Sequence, residues 1–188
     1  SKNLKKKISI LFFLLYLNII CVQIYNMSLE FFYKPDDIEA GIDEAGRGCL
    51  VGRVYAAAVI WPKNIEDDVD LSIIKDSKKL STKKRKQAIQ LIEKYAIAYN
   101  VAWENEKTID SMNILQATYS AMHKAVDGLS IEPEHLIIDG PHFKPYINKD
   151  VDFVPHKCIK KGDNKYISIA AASILAKEYR DNYIIELF

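Results

Sequence analysis

Four carboxylates of this sequence adjoin apolar segments, where acidic side chains are not expected by default. They are Asp43 and Glu44 after a short apolar stretch, Asp139 after the apolar residues 136–138, and Asp163 before an alanine-rich helical pattern. In an α/β sheet, functional side chains collect at strand ends and helix starts. We therefore predict that these acids, which are distant in sequence, meet at one rim of the fold.

Carboxylates held a few ångströms apart repel one another unless a cation neutralises them. Hard oxygen ligands select Mg²⁺ or Mn²⁺. Two such ions about 3.5–4 Å apart can hold the attacking water and the leaving 3′-oxygen of a phosphodiester in line. Because Asp43 and Glu44 are adjacent, they face opposite sides of a regular strand. They share a site only if the strand ends there or if the longer Glu44 reaches around.

Each acid taken alone also has an ordinary structural explanation. Asp43 and Glu44 fit a solvated strand end, and Asp139 with Gly140 fits a plain turn. Asp163 fits a helix N-cap. The prediction of a metal site therefore depends on all four acids together with the motifs around them.

A glycine–arginine loop follows the first pair of acids, at Gly46, Arg47 and Gly48. Glycine permits positive φ and lets the backbone approach a ligand closely. Arg47 is suited to a phosphate or carboxylate, and the loop backbone is suited to the 2′-hydroxyl that distinguishes RNA from DNA. A glycine-rich turn with a solvent-exposed arginine is the alternative.

Basic side chains crowd two stretches of the sequence. The first contains Lys75, Lys78, Lys79, Lys83, Lys84, Arg85 and Lys86, and the second contains Lys157, Lys160, Lys161 and Lys165. Ser173 and Lys177 are four residues apart, so they share one helix face. We expect these groups to contact phosphates. Solvated helix surfaces and a tightly packed core helix are the alternatives.

Strand-like and helix-like patterns alternate along the chain and predict a three-layer α/β domain with a mixed sheet. The predicted strands are 38–43, 48–61, 97–103, 136–138 and 151–159. The predicted helices are one capped by Ser81 that runs to Tyr95, one through 115–126 that Gly128 ends, and one over 163–188.

Composition limits the class of protein. The chain has 188 residues, 49% of them hydrophobic and 27% charged, which is typical of one soluble globular domain. The net charge of +1 shows no basic excess, so any nucleic-acid surface must be local. Cys21, Cys49 and Cys158 are few and widely spaced, which argues against a disulfide framework or a zinc site and indicates a reducing compartment.

Residues 1–26 form an apolar extension that precedes the predicted catalytic domain, residues 27–188. Three lysines stand before the mostly apolar segment 8–25, a pattern shared by signal peptides and short membrane anchors. Sequence translated upstream of a start at Met27 is the interpretation we favour. A cytoplasmic protein is therefore expected, with a membrane anchor at 8–25 or a cleaved signal peptide as the alternatives.

The chain resembles the ribonuclease HII family in several long blocks that occur in the family's order. The blocks are GIDEAGRG (41–48), DSKKLS (76–81), NILQATYSAMHKAV (113–126), LIIDG (136–140) and KGDNKYISIAAASILAKEYRD (161–181). The resemblance implies an RNase H-like three-layer fold with a mixed five-stranded sheet flanked by helices. It also implies cleavage of the RNA strand of RNA–DNA hybrids and cleavage 5′ to ribonucleotides in duplex DNA, giving 3′-hydroxyl and 5′-phosphate ends.

The family's functional residues map onto this sequence position by position. The resemblance places the metal-binding and catalytic acids at Asp43, Glu44, Asp139 and Asp163, with two Mg²⁺ or Mn²⁺ ions as cofactors. It places the ribose-sensing loop at Gly46, Arg47 and Gly48, and phosphate contacts at Lys78 and Lys177. No obligate protein partner is implied, and a monomer is expected.

The sequence departs from the family pattern at its C-terminal end, where the Gly-Tyr-x-Thr block that helps to recognise the DNA–RNA junction is absent. We therefore expect a ribonuclease HII domain that lacks its C-terminal part. Two alternatives remain: another RNase H-like nuclease, such as a junction resolvase or integrase, and a hybrid-binding fragment with weak catalysis.

Overall fold

The computed structural model describes residues 29–65, 69–75, 77 and 80–187. The strands are β1 (Glu39–Ala45), β2 (Val54–Ile60), β3 (Ala98–Glu104), β4 (His135–Asp139), β5 (Tyr146–Ile147), β6 (Phe153–Val154) and β7 (His156–Ile159). The helices are α1 (Thr82–Tyr95), α2 (Glu106–Met112), α3 (Ile114–Asp127) and α4 (Ile167–Leu187), and a short 3-10 helix spans Gly162–Asn164.

Five strands form one mixed sheet in the order β3-β2-β1-β4-β7. The pairs β1–β2 and β2–β3 are antiparallel, whereas β1–β4 and β4–β7 are parallel. Ile42 lies opposite Ile138 in the last pair of the β1–β4 ladder, so Asp43 and Asp139 are the next residues at the same sheet edge. The predicted mixed five-stranded sheet is confirmed.

Helices cover both faces of the sheet and make three layers. On one face, Ala117, Ala121 and Met122 of α3 are buried in the same core as Ile42 and Ile138. On the other face, α1 and α4 share a second core with β2. The sheet is therefore buried on both sides, and its functional side chains must lie at its edges.

Helix α4 packs unusually close to β1, because Gly41 has no side chain. A Cβ atom at Gly41 would lie 2.4 Å from the backbone carbon of Ser168. Ala170, Ala171 and Ala172 of the same helix are fully buried. The small residues of α4 thus let this helix pack closely along β1, towards the end of the strand that carries Asp43 and Glu44.

Several predicted boundaries are confirmed. Ser81 caps α1 and accepts a hydrogen bond from the Lys84 N–H, and α3 ends at Gly128. The strand predicted over 48–61 is shorter, because residues up to Arg53 form a loop before β2.

Two predicted elements are wrong in detail. The strand expected over 151–159 is divided at Pro155: β6 pairs with β5 in a separate hairpin, and only β7 joins the main sheet. The long helix begins at Ile167, not at Asp163, which lies in the separate 3-10 helix. Asp163 is therefore not the N-cap of α4. Helix α2 had not been predicted.

The apolar extension 1–26 lies outside the described residues, as do Lys78 and Phe188. Among the helices of the described part, none is long and apolar enough to cross a membrane.

Candidate active site

One cavity of about 370 Å³ collects every predicted site residue that the structure describes. Its lining consists of Asp43, Glu44, Ala45, Gly46, Arg47, Gly48, Cys49, Ser77, Asp139, Asp163, Ser173, Lys177 and Arg180. The acids come from three separate chain regions: the end of β1, the end of β4 and the 3-10 helix. This arrangement is the one expected from the sequence, in which the four acids meet at one rim of the sheet.

The end of β1 explains how Asp43 and Glu44 reach the same cavity. The strand does not end at Asp43, because it continues through Ala45 and remains paired with β2 on one side. On the other side, the pairing with β4 stops at Ile42. The space beyond the β4 ladder is therefore open, and both side chains border it.

Asp43 carries the most perturbed carboxyl group of the site. Asp43 is only 6% exposed. Burial raises its pKa well above the ordinary 3.8, and repulsion from Glu44 and Asp139 raises it further. Hydrogen bonds from the Ser173 hydroxyl and from the Glu44 N–H act in the opposite direction. A carboxylate in this environment is stabilised by a cation placed between the three acids.

The other three acids each contact a nearby group. Burial raises the pKa of Glu44, and Arg47 opposes that shift with its Nη1 atom 3.7 Å from Glu44 Oε1. Asp139 Oδ1 accepts a hydrogen bond of 2.6 Å from the Gly162 N–H. Asp163 Oδ1 accepts one of 2.9 Å from Asn164 Nδ2.

The donor set fits hard divalent cations, although the side chains are not closed around an ion position. Across residues 29–65, 69–75, 77 and 80–187, no three ligand-type side chains converge closely enough to enclose an ion as they stand. The cavity nevertheless offers carboxylate oxygens from four residues, and burial together with repulsion from Glu44 and Asp139 raises the pKa of Asp43. Mg²⁺ and Mn²⁺ prefer oxygen donors of this kind.

The glycine–arginine loop is held against α4 by Arg180. Gly46 has a φ of +102°, and a Cβ atom there would lie 2.5 Å from Arg180 Nε. Arg180 is buried, and its Nη2 atom donates to the Val51 carbonyl over 3.1 Å. By contrast, nothing lies within 4 Å of a Cβ built on Gly48. The first glycine is therefore required by packing, and the second leaves open space beside the cavity.

The sequence patterns predict no role for Arg180, although its spacing contains an indication of one. Arg180 follows Lys177 by three residues, and this spacing places both on one helix face. The Arg47 side chain is about half exposed at the mouth of the loop.

Ser173 and Lys177 differ in how far they reach towards solvent. Ser173 is only 7% exposed, and its hydroxyl contacts Asp43 and Ser77. Lys177 is about one-third exposed, and its Nζ donates to Asp181 Oδ1 over 2.5 Å. Ser77 had not been singled out, although it lies within the DSKKLS block.

The described residues of the two basic stretches are exposed, with the exception of Arg85. Lys75, Lys83, Lys84, Lys86, Lys157, Lys160, Lys161 and Lys165 are exposed. Arg85 is buried and pairs with Glu178, so the inclusion of Arg85 in a phosphate-binding surface was wrong. The described lysines of both stretches thus remain available to solvent, whereas Arg85 does not.

Comparison with known proteins identifies the family. The model of the family described as Ribonuclease HII matches residues 40–188. Ribonuclease HII of Bacteroides thetaiotaomicron is 51% identical over 156 residues, which span 83% of this chain and 74% of that protein.

Solved structures agree with this family and its RNase H-like fold. The ribonuclease H2 of Pyrococcus horikoshii OT3 matches with a TM-score of 0.65 and 29% identity over 79% of this chain and 74% of its own. The ribonuclease HII of Archaeoglobus fulgidus, solved in a complex with PCNA, matches with a TM-score of 0.64 and 28% identity over 80% of this chain and 76% of its own. The chain belongs to the ribonuclease HII family and is a hydrolase of the nuclease class.

Proposed function

We propose that this nuclease is an endoribonuclease that cleaves the RNA strand of RNA–DNA hybrids and cleaves 5′ to ribonucleotides embedded in duplex DNA. Cleavage proceeds by two-metal-ion phosphodiester hydrolysis and leaves 3′-hydroxyl and 5′-phosphate ends. The observation that carries the proposal is the shared cavity, in which four acids from three chain regions adjoin the glycine–arginine loop.

Asp43, Glu44, Asp139 and Asp163 are the residues that would hold the ions. When bound, two divalent cations activate the attacking water and stabilise the leaving 3′-oxygen. The acids contribute the negative charge that retains the cations, and this charge would otherwise repel a phosphodiester. Lys177 lies at the same cavity and supplies a positive charge for a non-bridging phosphate oxygen.

Ribonucleotide selection is assigned to the loop of Gly46, Arg47 and Gly48. The position of Gly46 against Arg180 fixes the loop, and the open space at Gly48 admits close approach of a sugar. The 2′-hydroxyl both donates and accepts hydrogen bonds, so backbone groups of such a loop can distinguish RNA from DNA.

The test uses a DNA duplex with one ribonucleotide, the matching all-DNA duplex and a long RNA–DNA hybrid, each with Mg²⁺, Mn²⁺ or EDTA. We expect metal-dependent cleavage of the ribonucleotide-containing substrates and none of the all-DNA duplex. Cleavage of all three substrates alike would overturn the assigned specificity and favour a less selective RNase H-like nuclease.

A matched pair of variants links cleavage to the cavity. Asp43→Asn removes one charge from the site, whereas Asp150→Asn removes the same charge from an exposed residue outside the cavity lining. We expect Asp43→Asn to abolish cleavage and to bind hybrid as well as or better than wild type, since the phosphate approaches a less negative site. Normal cleavage by Asp43→Asn would show that the metal assignment is wrong.

The proposed partner is the nucleic-acid duplex itself, and the proposed oligomeric state is a monomer. The exposed lysines of the two basic stretches support duplex binding, because they offer phosphate contacts. Hybrid affinity should therefore fall steeply with salt. Sedimentation of the protein with and without hybrid measures the stoichiometry.

A further inference from the structure

Two serine hydroxyls that are far apart in sequence meet behind the acids. Ser77 Oγ lies 3.0 Å from Ser173 Oγ, and both residues are buried, at 3% and 7% exposure. The Ser173 hydroxyl also hydrogen-bonds to Asp43. Ser77, Ser173 and Asp43 therefore form a continuous chain that ends on a carboxylate of the proposed metal site.

The direction of this chain follows from the number of protons available. An ionised Asp43 only accepts hydrogen bonds, so Ser173 must donate to it. Each hydroxyl has one proton, and Ser173 then has none left for Ser77. Ser77 must therefore be the donor to Ser173, and this bond polarises the Ser173 hydroxyl towards Asp43.

Backbone anchors hold Ser77 in place independently of the acids. The Ser77 carbonyl accepts a hydrogen bond of 3.3 Å from the Leu80 N–H. Leu80 and Ile74, on either side of Ser77, belong to the core that α1 and α4 share. The Ser77 backbone is thus held by a contact that does not involve the acids.

We propose that Ser77 is a positioning residue that orients Asp43 for metal binding through Ser173, an inference that rests on the proposed function. Ser77 lines the same cavity but acts through Ser173, not on the reacting atoms or on an ion. Its hydroxyl sets the rotamer of Ser173, which in turn orients the Asp43 carboxylate.

Metal affinity is the primary readout, because a purely structural serine would not change it. Mn²⁺ is titrated by calorimetry into the full chain without nucleic acid. Removing a residue that hydrogen-bonds to a metal ligand weakens metal binding about 10–100-fold. We expect Ser173→Ala within that range and Ser77→Ala near its lower end, about 10-fold.

Two further variants separate orientation from packing. Ser77→Cys keeps the volume and a weak donor, so its affinity should fall between those of wild type and Ser77→Ala; it also serves if Ser77→Ala does not fold. Ser72→Ala changes an exposed serine of the same segment and should bind Mn²⁺ like wild type. Thermal unfolding in EDTA measures the folded fraction of each variant.

A double variant decides whether Ser77 acts through Ser173. In the Ser173→Ala background, Ser77→Ala should cause no further loss of Mn²⁺ affinity, because the chain is already broken. The inference would be overturned if Ser77→Ala or Ser77→Cys bound Mn²⁺ as tightly as wild type. It would also be overturned if Ser77→Ala lowered Mn²⁺ affinity as much in the Ser173→Ala background as in wild type. A wild type that binds Mn²⁺ but cleaves no ribonucleotide-containing duplex would overturn the proposed function alone, and one that binds no Mn²⁺ would overturn both.

Discussion

Arg85 of α1 and Glu178 of α4 form a buried ion pair, with Arg85 Nε 2.8 Å from Glu178 Oε2 and side chains only 10% and 7% exposed. Arg85 Nη2 also lies 3.3 Å from Asp181 Oδ2. The other oxygen of Asp181 accepts a hydrogen bond from Lys177, which lines the cavity. One arginine thus joins two helices and fixes the acid that holds Lys177.

Replacing Arg85 is expected to destabilise the fold strongly. Arg85→Met leaves Glu178 buried without its cationic partner, and breaking a buried pair in this way costs about 3–5 kcal/mol. Lys86→Met, which changes the exposed neighbour on the same helix, should stay within about 0.5 kcal/mol of wild type. Urea unfolding of both variants measures the difference in their stability. Equal unfolding midpoints would show that the Arg85–Glu178 pair contributes little to the stability of the fold.

Substitutions at the two loop glycines, Gly46 and Gly48, are expected to have very different effects on stability. Gly46→Ala places a Cβ 2.5 Å from Arg180 Nε at a φ of +102°, so it should lower stability and disturb the loop. Gly48→Ala meets no atom within 4 Å and should unfold like wild type. Any loss of ribonucleotide cleavage in Gly48→Ala therefore reports contact with substrate. Melting curves and cleavage rates check both, and a strongly destabilised Gly48→Ala would contradict the assignment.

Replacing Arg47 is expected to lower the cleavage of substrate more than the affinity for metal. A hydrogen bond to a charged group contributes about 1.5–3 kcal/mol. Arg47→Ala should therefore lose about 10–100-fold in kcat/KM on a single-ribonucleotide duplex. Mn²⁺ affinity, measured by calorimetry on the same sample, should change far less. An equal loss of both would indicate that Arg47 acts only by neutralising Glu44, its neighbour at 3.7 Å.

The sequence allowed the acids to be predicted because each directly adjoins an apolar segment or a helical pattern. Asp43 and Asp139 lie towards the carboxyl ends of two parallel neighbouring strands, which meet at one edge of the sheet. The Ser77–Ser173 contact was not predictable, because it joins residues 96 apart through side chains common on any surface. Arg85 was misinterpreted for a similar reason, since its partner Glu178 is 93 residues away.

The errors in the fold also have local physical causes. Helix α2 has no buried residue, so it produces no apolar periodicity to detect. The pattern over 151–159 is strand-like throughout, but it does not show that Pro155 separates two strands belonging to different sheets. Asp163 has the residue type of an N-cap, yet three more residues precede α4. Strand pairing, which local patterns do not encode, decided only the second of these cases.

The metal-free protein is expected to lose stability as the pH rises through the titration of Asp43. Burial and repulsion raise its folded-state pKa above the ordinary 3.8, so the folded state binds the proton more tightly than the unfolded state. This contribution is fully present below pH 3.8 and is lost as the pH rises through the raised pKa. At neutral pH in EDTA, Asp43→Asn should therefore be more stable than wild type.

Thermal unfolding with EDTA or Mn²⁺ tests this prediction, with Asp150→Asn as the control of equal charge change. A gain of about 1 kcal/mol raises Tm by roughly 2–4 °C for a chain of this size. Mn²⁺ should raise the Tm of wild type and of Asp150→Asn by mass action. It should raise that of Asp43→Asn much less, because one ligand is lost. If Asp43→Asn is no more stable than Asp150→Asn in EDTA, the charge of Asp43, buried and repelled by its neighbours, does not destabilise the metal-free fold. The main physical argument for a cation at this site then fails.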